Sequence, residues 1–134
     1  MTEQQQAFSP RAHRIPADLR RLKEAREFAE EAAAEFGLDP TGRYHVKLAM
    51  SEAVANAIQH GSSSESDAIR LAAQEESGSL VFEVADSGRF VPRVKRRGDM
   101  PERGRGLDFM RRLMDHVDVR PGPEGTVLRF AIRP

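Results

Sequence analysis

The sequence predicts a single α/β domain with its core between two layers, and three observations carry that expectation. At 134 residues the chain has the length of one domain with one core. Two stretches with helical apolar spacing fill most of its first half, and alternating, strand-like runs bounded by glycine and proline fill much of the second. Neither an internal repeat nor a linker interrupts it, so the expected organisation is a flexible tail over residues 1–10 and one domain over residues 11–134.

The tail is polar, rich in glutamine and ends in Ser9-Pro10, a composition that frays. Arg11 to Ile15 reads as a short edge strand stopped by Pro16. From Asp18 to Phe36 the chain is rich in Ala, Glu, Leu and Arg, and Leu22, Ala25, Ala29, Ala32 and Phe36 recur at spacings of three and four, as in an amphipathic helix. Gly37 closes that helix, and Asp39 with Pro40 supplies a cap and a first-position proline for the next. In the stretch His45 to Gly61, Val46, Met50, Ala53 and Ala57 form a core-facing stripe. Glu52, Asn56 and His60 follow one another at successive helical turns along its border.

Ser62 to Asp67 is a polar turn. Strands are expected over Ala68 to Gln74 and Leu80 to Ala85, joined by a hairpin at Glu75-Glu76-Ser77-Gly78 and ending in Asp86-Ser87-Gly88. Phe90 to Arg105 has no sustained period and mixes prolines and glycines with Arg93, Lys95, Arg96, Arg97, Arg103 and Arg105. So long a loop in a compact domain is usually functional or disordered. Helical spacing returns through Leu107, Met110 and Met114 as far as His116, with Gly104 and Gly106 at the helix start. Val117 to Arg120, a turn at Pro121-Gly122-Pro123 and an alternating strand from Gly125 to Ile132 complete the chain.

Composition excludes several functions. Twenty-one basic and 21 acidic side chains cancel, so no global field draws in nucleic acid or anionic lipid. Without cysteine there is neither a disulfide framework nor a thiolate nucleophile. No apolar run reaches the length of a membrane span, and the first residues lack the apolar stretch of a signal peptide, so a cytoplasmic protein is expected. P-loop, dinucleotide-binding, nucleophile-elbow and zinc spacings are all missing.

What remains are four short motifs, each ordinary when taken alone. Asp86-x-Gly88 at a strand end offers a carboxylate acceptor beside a residue with no side chain, which lets a flat ring bearing an amino group approach the backbone. Gly104-Arg105-Gly106-Leu107 leads into a helix, whose free N–H groups and positive dipole end favour phosphate. Gly125-Thr126 heads the last strand and offers a hydroxyl. Glu52 and Asn56 bring a carboxylate and the chain's one asparagine onto the same stripe.

In this order, Glu52-x-x-x-Asn56-Ala57-x-x-His60-Gly61, Asp86-x-Gly88, Arg103-Gly104-x-Gly106-Leu107 and Gly125-Thr126 resemble the N box and the three glycine boxes of the GHKL (Bergerat-fold) ATPases. Within that superfamily the short chain, the leading amphipathic helix and the pairing of Arg103 to Leu107 with Leu113-Met114-Asp115 are similar to the bacterial anti-sigma factor serine/threonine kinases. The resemblance extends from about Ile15 to Ile132. It implies a two-layer α/β sandwich, with a mixed, mostly antiparallel sheet and its helices on one face.

It also implies roles. Glu52 would be the general base and Asn56 a Mg²⁺ ligand, Asp86 would take the adenine amino group and Gly88 would admit the ring. Gly104, Arg105, Gly106 and Leu107 would hold the nucleotide, the two glycines wrapping its phosphates, and Thr126 would sit near the adenine. An asparagine carbonyl one helical turn from a carboxylate suits Mg²⁺, which prefers oxygen ligands. Many superfamily members carry a second glycine two positions after Gly88, where this chain has Phe90.

The activity implied is ATP- and Mg²⁺-dependent phosphorylation of an antagonist protein, together with sequestration of a sigma factor. Two other readings stay open: a nucleotide-gated binding module without catalysis, and a detached ATP-binding domain of a sensor histidine kinase. Glu52 favours the kinase, since binding alone needs no base there. Dimerisation through the first helix, as in the resembled family, and packing within the chain explain that helix's spacing equally well.

Overall fold

A computed structural model describes residues 8–61, 67–86, 101–123 and 125–134, including all their side chains except those of residues 60, 61 and 101–105. Five strands form one sheet: β1 (Arg11–Pro16), β2 (Ala68–Glu76), β3 (Ser79–Asp86), β4 (His116–Gly122) and β5 (Gly125–Ile132). Their spatial order is β1-β2-β3-β5-β4. Every pairing is antiparallel, so the described sheet has none of the parallel pairing that a mixed sheet would contain.

Three helices pack on one face: α1 (Leu22–Phe36), α2 (Pro40–Asn56) and α3 (Pro101–Leu113). The inward residues of the strands, among them Ile15, Ile69, Leu71, Phe82, Val84 and Phe130, share one buried cluster with the helices' inner stripes. This is the two-layer sandwich expected from sequence. Ala25, Ala29, Ala32 and Ala33 of α1 are fully buried in it, and so are Val46, Ala49 and Met50 of α2. Phe82 and Phe130 stack at 5.3 Å in the centre of the sheet, an arrangement worth about 0.5–1.5 kcal/mol beyond the area it buries.

Local chemistry sets the element ends. Asp18 caps a short 3-10 turn over Leu19–Arg21, so α1 starts at Leu22 rather than at Asp18. Gly37 takes a left-handed φ of 96°, and Asp39 accepts the N–H of Gly42 at 2.7 Å to open α2. Ser77 and Gly78 both have positive φ, at 51° and 84°, which makes the hairpin a tight two-residue turn. Glu75 and Glu76 therefore belong to β2 and not to the loop.

Two boundaries differ more. The third helix begins at Pro101, well before the expected Leu107, and ends at Leu113 rather than His116. At its far end the N–H of Met114 still bonds to Met110, but the N–H of Asp115 already bonds to Ala131 of β5, so His116 starts a strand. Phe8, in the segment read as a tail, lies edge-on against Phe36. No helix among the described residues is long and apolar enough to cross a membrane.

Candidate functional site

Between α2 and the sheet lies a narrow cleft of about 20 Å³, partly open to solvent. Ala53, Asn56 and Ala57 of α2 form one wall. Val84 and Asp86 of β3 with Thr126 and Leu128 of β5 form the other, and Leu107 of α3 and Val119 of β4 complete it. The cleft is mostly apolar with polar groups at its edges, the composition that receives a flat heteroaromatic ring.

Asp86 and Thr126 are the two buried polar residues among those described, at 8% and 7% exposure. They are joined, because the backbone N–H of Thr126 donates to Oδ1 of Asp86 at 3.2 Å. The residue before Thr126 permits this approach. Gly125 has a φ of 134°, and a Cβ there would lie 2.2 Å from the carbonyl oxygen of Asp86. The Gly125-Thr126 pair thus presents a backbone amide to the aspartate as well as a side chain to the cleft. Sequence named both residues and missed the link between them, because residues 40 positions apart in the chain reveal contact only through the pairing of β3 with β5.

Glu52 and Asn56 occupy the border of α2, one turn apart and partly buried. A Cβ built on Gly106 would stand 3.0 Å from Oε1 of Glu52 and 3.3 Å from Nδ2 of Asn56, so both side chains converge on one point beneath α3. Nδ2 of Asn56 is buried and has no hydrogen-bond partner. Buried polar atoms are nearly always satisfied, and an orphan calls for an absent ligand or water. Immediately after Asn56 the helix widens into a π turn over Ala57–Gly61, a distortion often found at functional sites. The side chain of His60, within that turn, lies outside what is described.

The residues of the expected phosphate segment are distributed differently. Since α3 begins at Pro101, Gly104 closes its first turn and Gly106 lies in the second, inside the helix rather than at its free end. Leu107 lines the cleft, whereas the side chain of Arg105 lies outside what is described. Gly88 and the basic residues from Arg93 to Arg97 also fall outside the described residues. Among the described residues, no group of three or more His, Cys, Asp or Glu side chains is placed to cage a metal. The apolar walls contributed by Ala53, Val84, Val119 and Leu128 were not singled out from sequence, although the alternation of β5 marks Leu128 as inward-facing.

A cleft between α2 and the sheet, with a buried aspartate at one edge and a Glu–Asn pair at another, on a sheet in the order β1-β2-β3-β5-β4 with its helices on one face, places the chain in the histidine kinase-like ATPase fold class. The chain belongs to the histidine kinase-like ATPase domain family, whose model matches residues 15–132. Within it the chain is similar to proteins named anti-sigma F factor. That of Clostridium acetobutylicum is 33% identical over 108 residues, covering 72% of this chain and 76% of the relative. That of Clostridium botulinum type B is 34% identical over 117 residues, covering 77% and 82%.

Solved structures agree on the fold. The RsbU and RsbW domains of a Mycobacterium tuberculosis protein superpose with a TM-score of 0.72 at 23% identity. The match covers 93% of this chain but 32% of that one. The histidine kinase domain of an Erythrobacter litoralis blue-light activated histidine kinase gives 0.57 at 22% identity, covering 88% of this chain and 61% of that one.

Proposed function

We propose that this chain is an ATP-dependent serine/threonine protein kinase acting as an anti-sigma factor in the cytoplasm, which phosphorylates an antagonist protein and otherwise sequesters a sigma factor. The observation that carries the reading is the convergence of Glu52 and Asn56 under Gly106, with the Asn56 amide buried and unpartnered. A half-turn of that amide exchanges its nitrogen for its oxygen, giving a neutral oxygen ligand beside a carboxylate. Relatives named anti-sigma F factor support the anti-sigma role.

In this reading Asp86 accepts from the adenine amino group, with Gly88 and Thr126 beside the ring and Val84 and Leu128 against its faces. Gly104, Arg105, Gly106 and Leu107 hold the phosphates. Asn56 would hold Mg²⁺, which when bound neutralises charge on the phosphates. Glu52 takes the proton of the attacking serine or threonine hydroxyl as its oxygen bonds to the γ-phosphorus and the bond to ADP breaks. Apart from that proton transfer, the protein contributes position and charge.

The test is a pair of variants in two assays. Glu52→Gln should bind ATP nearly as well as wild type and transfer phosphate roughly 10²–10⁴-fold more slowly, the range of general-base contributions. Asn56→Ala should lose Mg²⁺-dependent binding and turnover together. A Glu52→Gln variant that transfers at the wild-type rate removes the base assignment. A wild type that grips its partner in ATP without transferring phosphate makes the chain a binding module.

A further inference from the structure

The sheet face turned away from the helices carries an unusual row of side chains. Arg14 of β1 stands opposite Arg70 of β2, Arg70 opposite Ala85 of β3, Ala85 opposite Val127 of β5, and Val127 opposite Arg120 of β4. The row crosses all five strands and floors a solvent-open depression of about 570 Å³. Its side chains lie on the opposite face from those of the cleft, although Asp86 at the end of β3 borders both.

Arg14 and Arg70 are both exposed. They sit directly across from one another, and neither makes an ion pair or side-chain hydrogen bond to any described residue. Like charges in that relation weaken a sheet, so the pair has no structural benefit to explain it. At the other end Arg120 is tied to Asp118 at 2.7 Å. Between them Ala85 and Val127 leave a shallow apolar floor.

We propose that this face is a docking surface for an acidic segment of a protein partner. Three strand intervals place Arg70 about 14 Å from Arg120 at the backbone, and carboxylates four residues apart on one side of an extended segment are about 13 Å apart. A small apolar residue between them fits over Ala85 and Val127. The neighbouring row argues for protein over nucleic acid. It sets Glu83 and Asp118 on either side of Arg129, where a continuous phosphate backbone would meet negative charge. Among the described residues no aromatic side chain lines the depression, so they offer bases no stacking platform.

The test uses the full chain and three fluorescent probes: an extended peptide repeating Glu-Ser-Ala-Ser, which sets Glu and Ala alternately along one side, its Gln-Ser-Ala-Ser counterpart, and a single-stranded thymidine oligonucleotide. Anisotropy at low salt should show the Glu-containing peptide bound best. Arg14→Gln combined with Arg70→Gln should weaken that binding roughly fivefold to tenfold, the combined effect of two exposed charge pairs. The same double variant should melt at the wild-type temperature or above it, because a repulsive pair has been removed. Unchanged peptide affinity in the variant overturns the proposal. So does stronger binding of the oligonucleotide, which makes the face a general polyanion surface, or a lowered melting temperature, which makes the arginines structural.

Discussion

Asp86 and Gly125 show how much of the site depends on single atoms. Asp86→Asn keeps a side chain of the same shape, so the fold should persist while ATP binding weakens, because the amide loses the charge assistance of a carboxylate. Isothermal titration against wild type measures this, and equal affinity would dissociate Asp86 from the adenine. Gly125→Ala should behave in the opposite way. Its backbone sits at a φ of 134° and its new methyl would overlap the Asp86 carbonyl at 2.2 Å, so roughly 1–3 kcal/mol of backbone strain adds to the displacement of β3. Thermal melting should show the loss before any ligand is added. The candidate site was legible in sequence as residue types: Glu52, Asn56, Asp86, Leu107 and Thr126 all border the same region. Their mutual contacts were not legible, since nothing local announces that Thr126 donates to Asp86.

At the scale of elements, sequence located best what local chemistry controls. Gly37 ends α1 and Asp39 caps α2 because each needs only neighbours within a few residues. The hairpin turn also came from local signals, though the loop closed more tightly than its polar composition implied. The start of α3 was missed because Pro101, Gly104 and Gly106 all argue against a regular helix, at a cost of about 1 kcal/mol for each interior glycine. Packing against α2 overrides that cost, with Gly106 seated where Glu52 and Asn56 leave little room for a side chain. Gly106→Ala therefore sets two effects against one another. The helix should gain up to about 1 kcal/mol, while the methyl presses on Glu52 at 3.0 Å. The expected outcome is an unchanged or raised melting temperature with impaired phosphotransfer. A variant equal to wild type in transfer would separate this contact from the chemistry.

For the molecule as a whole, the helical face is held by burial and the open face by charge. Arg129 of β5 bonds to Glu83 of β3 at 2.7 Å and to Glu76 at the end of β2, tying three strands on the exposed side. The bond from Arg129, with help from Gln74, holds the Glu76 carboxyl below its ordinary 4.5. A lowered carboxyl stabilises the fold above its ordinary value and loses that contribution as pH falls through the folded value. Glu76→Gln should accordingly lower the melting temperature at neutral pH by about a few degrees at most, the pair being exposed. The two proteins should converge in acid. A constant difference across the range would place the effect in packing instead. The two-layer architecture was legible from apolar periodicity, whereas this network was not, since the partners come from three strands whose order only the assembled sheet reveals.

The bond between Thr126 and Asp86 also has a consequence for synthesis. A ribosome delivers the chain in order, at about 5–20 residues per second, and β5 follows every helix and every other strand described. A nascent chain can assemble α1 against α2 and pair β1, β2 and β3 while still lacking Val119, Thr126 and Leu128, which close the cleft. β5 must then slot between β3 and β4, at the interior of the sheet rather than its edge. If the cleft is the nucleotide site proposed above, competence to bind nucleotide arrives in a single late step. A chain still lacking β5 is without one wall of that cleft.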